Sequence, residues 1–156
     1  SRLFDGEGLA VSKRVMIDDG VLTGWFLDLA SAAKLCMTPT GNARRGIGSA
    51  PSPGASNFYI ENSTISRDDL IADIDEGFLI TEMIGSSVDM ITGDYSRGAG
   101  GFWISKGKIA EPITEATIAG NLKDMFIQIT AANDIDLRDS IASPSLYLDC
   151  MMIAGS

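Results

Sequence analysis

The residue types best suited to binding chemistry lie in one stretch, residues 93–107, which mixes glycine, aromatic and charged residues. Within it, Arg97 could hold a carboxylate through a two-pronged hydrogen bond, with Asp94 orienting the guanidinium. An internal pair between Asp94 and Arg97 that stabilises a turn is the favoured alternative. A strand edge nearby could also bind an extended peptide through its backbone. The polar cluster and the glycines after it are Asp94, Tyr95, Ser96, Arg97, Gly98, Gly100 and Gly101.

The glycine run at residues 98–101 has the composition of a phosphate-binding loop but not its context. Such a loop should follow a strand, open a helix and carry a lysine before serine or threonine. Here the glycines lead into Phe102 and Trp103, which favour a strand. The run therefore predicts a close backbone approach or a β-bulge.

The chain contains no histidine, and this absence limits its chemistry more than any other feature. It excludes a histidine-based triad, a histidine-ligated zinc site and imidazole acid–base catalysis within these residues. Lys106 and Lys108 flank a turn, so neither is expected to activate a serine. Asp5 and Glu7 could bind a cation or act as an acid–base pair, but a solvated turn is favoured. No catalytic and no metal-binding residue is predicted.

Composition indicates a folded domain that does not bind nucleic acid directly. The 156 residues are 45% hydrophobic, and the net charge of -9 repels phosphate backbones. No apolar run approaches the length that spans a membrane. The two cysteines, Cys36 and Cys150, have no CxxC spacing, so we expect buried thiols in a reduced, cytoplasmic setting. The start at SRLFDGEG, without methionine, suggests a fragment of a longer protein.

Local patterns predict two hairpins and three helices. The first hairpin pairs residues 13–17 with 21–27 around an Asp-Gly turn, and the second pairs residues 100–105 with 108–113 around Lys106 and Gly107. Further strands are predicted at residues 57–61, 78–84, 88–92 and 145–154, and a long irregular loop at residues 38–54. The helices are predicted at residues 28–35, 66–75 and 118–132, the second of them capped by Ser66 and stopped by Gly77.

These elements predict an α+β fold of seven to nine strands that is predominantly antiparallel β. Sandwich or barrel-like sheets built from hairpins, with two or three helices, are expected because short turns connect consecutive strands. Residues 1–156 are predicted to form a single domain.

Several long motifs resemble the TldD/PmbA family along nearly the whole chain. In order they are SRLFDGEG, VLTGWFLDLASAAKL, TGNARRG, PSPGASNFYIE, LIADIDEG, GDYSRGAGGFWISKGKIAEPITEATIAGNLKDM and IASPSLYLD. The family comprises metallopeptidases, historically described as modulators of DNA gyrase. The chain is most similar to the C-terminal part of its PmbA-like (TldE-like) members.

The resemblance implies a role in a two-subunit peptidase of bacteria. The TldD-like subunit carries an HExxxH zinc helix and a further cysteine ligand, whereas the PmbA-like subunit lacks zinc ligands. Residues 130–143, where that cysteine would be expected, contain none. The resemblance therefore implies a C-terminal domain without its N-terminal portion, non-catalytic and without a cofactor. Zinc is expected in a TldD-like partner that processes or matures peptides with it.

The same resemblance implies that the cluster at residues 93–107 forms part of a peptide channel or a subunit interface. The residues assigned to it are Asp94, Tyr95, Arg97, Gly98, Gly100 and Gly101. Two alternatives remain open for the function of the chain. One is a stand-alone β-rich assembly domain that forms a homodimer, and the other is a modulator linked to gyrase.

Overall fold

The computed structural model describes residues 2–149 and 151–155, apart from the side chain of Ser86. Within these residues, no helix is long and apolar enough to cross a membrane. The elements, in chain order, are β1 (Ile17–Asp18), β2 (Val21–Leu22), α1 (Leu29–Lys34), β3 (Ala43–Arg44), β4 (Ser52–Pro53), β5 (Phe58–Tyr59), α2 (Arg67–Ala72), β6 (Glu76–Val88), β7 (Asp94–Ser105), β8 (Lys108–Asn121), α3 (Leu122–Gln128), β9 (Thr130–Ala131), β10 (Ile141–Ala142), β11 (Leu146–Tyr147) and β12 (Met152–Gly155).

The fold is α+β and predominantly antiparallel, as predicted. Its largest sheet has four strands in the order β12-β8-β7-β6, all paired antiparallel. This sheet is open, with β6 and β12 as its outer strands, rather than closed on itself. The remaining described strands form two-residue pairs, of which β5 with β10 is parallel. The strands outnumber the seven to nine predicted because such short pairs leave no periodic pattern in the sequence.

The chain divides into two compact units. The first runs up to Tyr59 and includes Leu137–Ala142, and the second comprises Ile60–Asp136 and the residues from Ser143 onward. The prediction of a single domain stays a prediction.

In the first unit, the predicted hairpin is present but shorter than expected. Asp19 and Gly20 form its turn with positive φ angles of 46° and 77°, which Asp-Gly turns favour. Only β1 and β2 pair, extended by a hydrogen bond from the Thr23 N–H to the Met16 carbonyl oxygen. The predicted strands at residues 13–17 and 21–27 are therefore too long.

The helix predicted at residues 28–35 is confirmed as α1. Its N-cap is Asp28, whose carboxylate accepts a hydrogen bond from the Ser31 N–H and whose surface is only 3% exposed. The irregular loop predicted at residues 38–54 is wrong in part, because β3 and β4 pair within it. Strand β5 is shorter than the prediction at residues 57–61. Cys36 is exposed, contrary to the predicted buried thiol, and Cys150 lies outside the described residues.

In the second unit, the helix predicted from Ser66 is confirmed as α2. The Ser66 hydroxyl accepts a hydrogen bond from the Asp69 N–H, as the N-cap of a capping box does, and it donates a second bond to the Asp69 carboxylate. The predicted stop at Gly77 is wrong. The helix already ends at its C-cap, Asp73, and Gly77 lies inside β6.

The long strands β6, β7 and β8 correct several boundaries. Gly85, expected to end a strand, instead lies within β6 with a φ of 70°, where the pairing with β7 shifts register. The strand predicted at residues 88–92 is mostly a turn. Because β8 continues to Asn121 and β9 starts at Thr130, the helix predicted at residues 118–132 shortens to α3. The strand predicted at residues 145–154 is divided between β11 and β12.

Part of the core of the second unit lies on one face of the large sheet. Ala99 of β7 and Ala116 of β8 are paired in register, and Ile118 lies two residues further along on the same face. All three are buried, with Ile118 only 2% exposed. The packing of these three buried residues holds the inner strand β7 in place. The predicted site residues lie on this strand.

Candidate functional site

The polar cluster of residues 94–97 lies on β7 and not in a turn, contrary to the prediction. Alternate residues of a strand point to opposite faces, and β7 pairs with β8 in unbroken register from Asp94 to Ala99. Tyr95 and Arg97 therefore share the face of Ala99, whereas Asp94 points to the other face. The predicted internal pair between Asp94 and Arg97 is wrong for this reason.

Tyr95 and Arg97 meet at the sulfur of Met83, on the neighbouring strand β6. The Tyr95 hydroxyl lies 3.7 Å from the Met83 sulfur, and Nη1 of Arg97 lies 3.5 Å from the same atom. Nε of Arg97 is buried and has no hydrogen-bond partner. The structure thus brings together two of the predicted site residues with Met83, which the sequence did not single out. The i, i+2 spacing of Tyr95 and Arg97 would indicate their shared face once the strand is known.

Asp94 belongs to a separate network that orders the turn between β6 and β7. Its carboxylate accepts hydrogen bonds from the Thr92 hydroxyl at 2.9 Å and from the Asn121 amide at 3.2 Å. Asp89 accepts hydrogen bonds from the N–H groups of Ile91 and Thr92. These bonds hold the turn in place, and they lower the pKa of Asp89 below its ordinary value of 3.8.

The turn held by this network presents two large apolar side chains at its tip. Met90 is 85% exposed and Ile91 is 90% exposed. Helix α3 begins beside this turn, because the Leu122 N–H donates a hydrogen bond to the Gly93 carbonyl oxygen. None of the residues of α3 is buried. One end of the large sheet therefore carries an exposed apolar surface.

The glycines of the cluster allow a close backbone approach, as predicted. A Cβ atom on Gly101 would lie 1.9 Å from the carbonyl oxygen of Leu79. The register shifts beside it on both neighbouring strands, between Ile80 and Glu82 of β6 and between Ile113 and Ala116 of β8. Gly98 and Gly100 are less restricted, with the nearest atoms 3.4 and 3.6 Å from such a Cβ. Only Gly101 strictly requires glycine here.

The far end of the stretch forms a polar contact that sequence reasoning missed. The Glu76 carboxylate on β6 accepts hydrogen bonds from the Ser105 hydroxyl and from the indole N–H of Trp103 on β7. Both hydrogen bonds lower the pKa of Glu76 below its ordinary value of 4.5, and the bond from Ser105 contributes more than the bond from Trp103. The residues pair across antiparallel strands, so only the register, which sequence does not reveal, brings them together.

The two carboxylates near the start of the chain accept hydrogen bonds from the backbone and so stabilise the fold. Asp5 accepts hydrogen bonds from the N–H groups of Glu7, Leu9 and Ala43, and Glu7 accepts one from the Leu29 N–H. Burial raises the pKa of Asp5, but the backbone hydrogen bonds outweigh burial and bring it below 3.8. Asp5 and Glu7 are thus occupied as acceptors, which fits neither a cation site nor an acid–base pair.

The described residues do not offer a zinc ion its usual set of ligands. The sequence has no histidine, and the residues that the structure describes include no group of three cysteine, aspartate or glutamate side chains placed to hold a metal. Structural and catalytic zinc sites need three or four such ligands.

The chain belongs to the PmbA/TldD family. The family model of the PmbA/TldA metallopeptidase C-terminal domain matches residues 1–155. The chain is 43% identical over 153 residues to Metalloprotease PmbA of Escherichia coli O157:H7, which covers 97% of this chain and 32% of that protein. It is 31% identical over 173 residues to a Metalloprotease TldD homologue of Haemophilus influenzae, covering 100% and 36%. The chain spans about a third of the length of the curated relatives it matches.

Solved structures show the same fold. TldE from Thermococcus kodakarensis superposes with a TM-score of 0.88 at 27% identity, covering 99% of this chain and 36% of that chain. A proposed modulator of DNA gyrase from Bacteroides thetaiotaomicron superposes with a TM-score of 0.84 at 32% identity, covering 100% and 33%. The family resemblance drawn from the sequence motifs is thereby confirmed.

Proposed function

We propose that this chain is the C-terminal part of a PmbA/TldE-like subunit that contributes no zinc ligand to a cytoplasmic peptidase complex. The observation that carries this proposal is the absence of cysteine from residues 130–143, where the resemblance places a zinc ligand of the TldD-like subunit. The higher identity to a PmbA protein than to a TldD homologue supports the same assignment. In this proposal the zinc that polarises the scissile carbonyl and activates water belongs to a TldD-like partner.

In this proposal the chain forms part of the surface on which a peptide binds. Tyr95, Arg97 and the glycines of β7 belong to an inner strand beside the outer strand β6. An outer strand has unpaired backbone groups that an extended peptide can match. The rigid register of β7 against β8 supports side chains at fixed positions, as a binding surface requires.

A peptidase assay on the full-length protein, alone and with a TldD-like partner, tests this function. We expect cleavage of an unstructured peptide only when both proteins are present, and substoichiometric zinc in the full-length protein alone. Cleavage by the protein alone, together with one zinc per chain, would contradict the proposal.

A second candidate is an assembly domain that pairs with another copy of itself. The exposed apolar residues of α3 favour it, because Phe126 and Ile127 are 64% and 82% exposed and such surfaces mark interaction sites. Co-purification with the tagged full-length protein separates the two candidates. A TldD-like chain recovered in equal amount supports the peptidase complex, whereas self-association alone supports the assembly domain.

A further inference from the structure

Two strong hydrogen-bond donors of β7 converge on a single weak acceptor. The Arg97 guanidinium and the Tyr95 hydroxyl both approach the sulfur of Met83, at 3.5 and 3.7 Å. A thioether sulfur accepts hydrogen bonds poorly, whereas a guanidinium carries a permanent charge and several donors. The position of the sulfur therefore marks a point at which an oxygen acceptor would be bound more strongly.

Among the described residues, no carboxylate lies against the Arg97 guanidinium, although the chain is rich in acidic residues. There are 21 acidic residues against 12 basic ones, yet within the described part of the chain Arg97 contacts no carboxylate and its Nε has no partner. Leaving a buried polar group unpaired costs about 1–3 kcal/mol. Arg97 cannot turn toward the acids of the opposite face, because its backbone is paired with Ile118 in the middle of the sheet. Buried donors without a partner are uncommon in folded proteins, and a bound acceptor is one way to satisfy them.

We propose that Tyr95 and Arg97 form a carboxylate-binding site on β7. The carboxylate replaces the Met83 sulfur and accepts hydrogen bonds from Nη1 of Arg97 and from the Tyr95 hydroxyl. Met83 can move aside, because its side chain is unbranched and 50% exposed. One guanidinium and one neutral phenol match a singly charged anion, whereas a phosphate dianion would leave charge uncompensated in a chain of net charge -9.

The ligand we assign is the carboxylate of a peptide, and this identity rests on the proposed peptide-processing function. The group could be a C-terminal carboxylate or a glutamate side chain, and the two are distinguished by the peptides used. The probes are acetyl-tetraalanine with a free C-terminus, the same peptide amidated, and an amidated version with glutamate at the second position. Binding is measured by calorimetry with the full-length protein.

We expect at least one carboxylate peptide to bind about 10-fold more tightly than the uncharged amide, as a charge-assisted hydrogen-bond pair would give. Arg97→Gln should remove the preference entirely, and Tyr95→Phe should reduce it. Met83→Leu should retain or increase it, because it removes the competing sulfur and keeps the volume. The matched control is Arg67→Gln, which removes an arginine of α2 that lies 3.9 Å from Asp68 and should leave the preference unchanged.

Equal binding of all three peptides, or a preference that persists in Arg97→Gln, would overturn the carboxylate site while leaving peptide binding itself intact. No binding of any peptide would overturn both the site and the proposed function. If Arg97→Gln does not fold, as judged by its thermal transition, Tyr95→Phe and Met83→Leu decide. An unchanged preference in Tyr95→Phe together with a lost preference in Met83→Leu then contradicts the site.

Discussion

Several carboxylates in this chain act as acceptors for nearby N–H and O–H groups. Asp5 accepts hydrogen bonds from three backbone N–H groups, and Asp89 accepts two. Asp134 accepts hydrogen bonds from both the N–H and the hydroxyl of Ser145. Part of the negative charge therefore stabilises loops and turns, because a charged acceptor makes a stronger hydrogen bond than a neutral one.

Replacing Asp5 by asparagine should destabilise the folded chain by about 2 kcal/mol. Asparagine has one acceptor oxygen instead of two, so its amide would face a backbone N–H that now bonds to Asp5. Urea unfolding at neutral pH measures the loss. Asp18→Asn is the control, because Asp18 is an exposed carboxylate of the same unit and its replacement should change the free energy of unfolding by less than about 0.5 kcal/mol.

The same substitution has a defined pH dependence. Because the pKa of Asp5 in the folded chain lies below 3.8, its stabilising contribution is fully present above that value and is lost as the pH falls through the lowered pKa. The difference in unfolding free energy between wild type and Asp5→Asn should therefore shrink below pH 3.8. A difference that grows on acidification would contradict the hydrogen-bond assignment.

The fluorescence of Trp103 should report the protonation of Glu76. Since the indole N–H donates to this carboxylate and the pKa of Glu76 lies below 4.5, a Trp25→Phe variant should show a fluorescence titration with its midpoint below pH 4.5. The carboxylate contact is fully formed above that pH and is lost on acidification. Adding Glu76→Gln should abolish the titration, and a titration that survives it would contradict the contact.

Sequence reasoning at the residue scale identified acceptors and donors but not their partners. Arg97 and Tyr95 were recognised as candidates, whereas Met83 and Glu76 were not, because both lie on β6 and face β7 only through strand register. Register depends on bulges at Gly85 and near Gly101, which no local pattern specifies. The predicted pairing of Asp94 with Arg97 is wrong because both lie on one strand, where residues three apart point to opposite faces.

Among the elements, the close approach of β6 to Gly101 of β7 gives a sharp test of why glycine is required. Gly101→Ala should destabilise the chain by roughly 3 kcal/mol or more, because its Cβ would lie 1.9 Å from the Leu79 carbonyl oxygen and would force the strands apart. Gly100→Ala is the matched control, since its Cβ would lie 3.6 Å from the nearest carbonyl oxygens. That variant should change stability by less than about 1 kcal/mol, as urea unfolding would show.

If the two substitutions lowered stability equally, the close approach of the Leu79 backbone would not be the cause of the loss. A Gly101→Ala variant of unchanged stability would show that β6 moves aside freely. The comparison is informative because both glycines lie on the same strand and differ chiefly in the distance to the neighbouring backbone.

Element prediction succeeded where local chemistry specifies structure and failed where distant pairing does. The Asp-Gly turn, the N-cap at Ser66 and the turn at Lys106 are all present. The pair of β3 with β4 and the parallel partner of β5 were missed, because two-residue strands show no alternation. The long helix predicted at residues 118–132 was interrupted by extension of β8, where strand pairing overrides helical propensity.

For the whole molecule, the two tryptophans lie in different units and can report on them separately. Trp25 belongs to the first unit, whose described strands are only two residues long, and Trp103 to the second, with strands of 12 to 14 residues. Short isolated strand pairs are marginally stable. We expect the Trp25 signal to change at a lower urea concentration than the Trp103 signal in single-tryptophan variants.

Coincident transitions would contradict this expectation and support the single domain predicted from chain length. Trp25→Phe and Trp103→Phe must first show that each substitution leaves the other transition in place. Membership of the family could be predicted most fully from the sequence, because seven family-like motifs lie in order along the chain. The division into units could not be predicted, because it depends on residues 137–142 returning to the first unit.

The ordered turn between β6 and β7 has an entropic consequence. Asp89, Asp94 and Asn121 hold its backbone through side-chain hydrogen bonds, while Met90 and Ile91 stand outside it. Fixing one residue's backbone costs about 1–2 kcal/mol of conformational entropy. Folding of the chain already fixes the backbone of this turn. A binding partner that covers the tip therefore orders only the two side chains, and their burial contributes nearly its full hydrophobic free energy to binding.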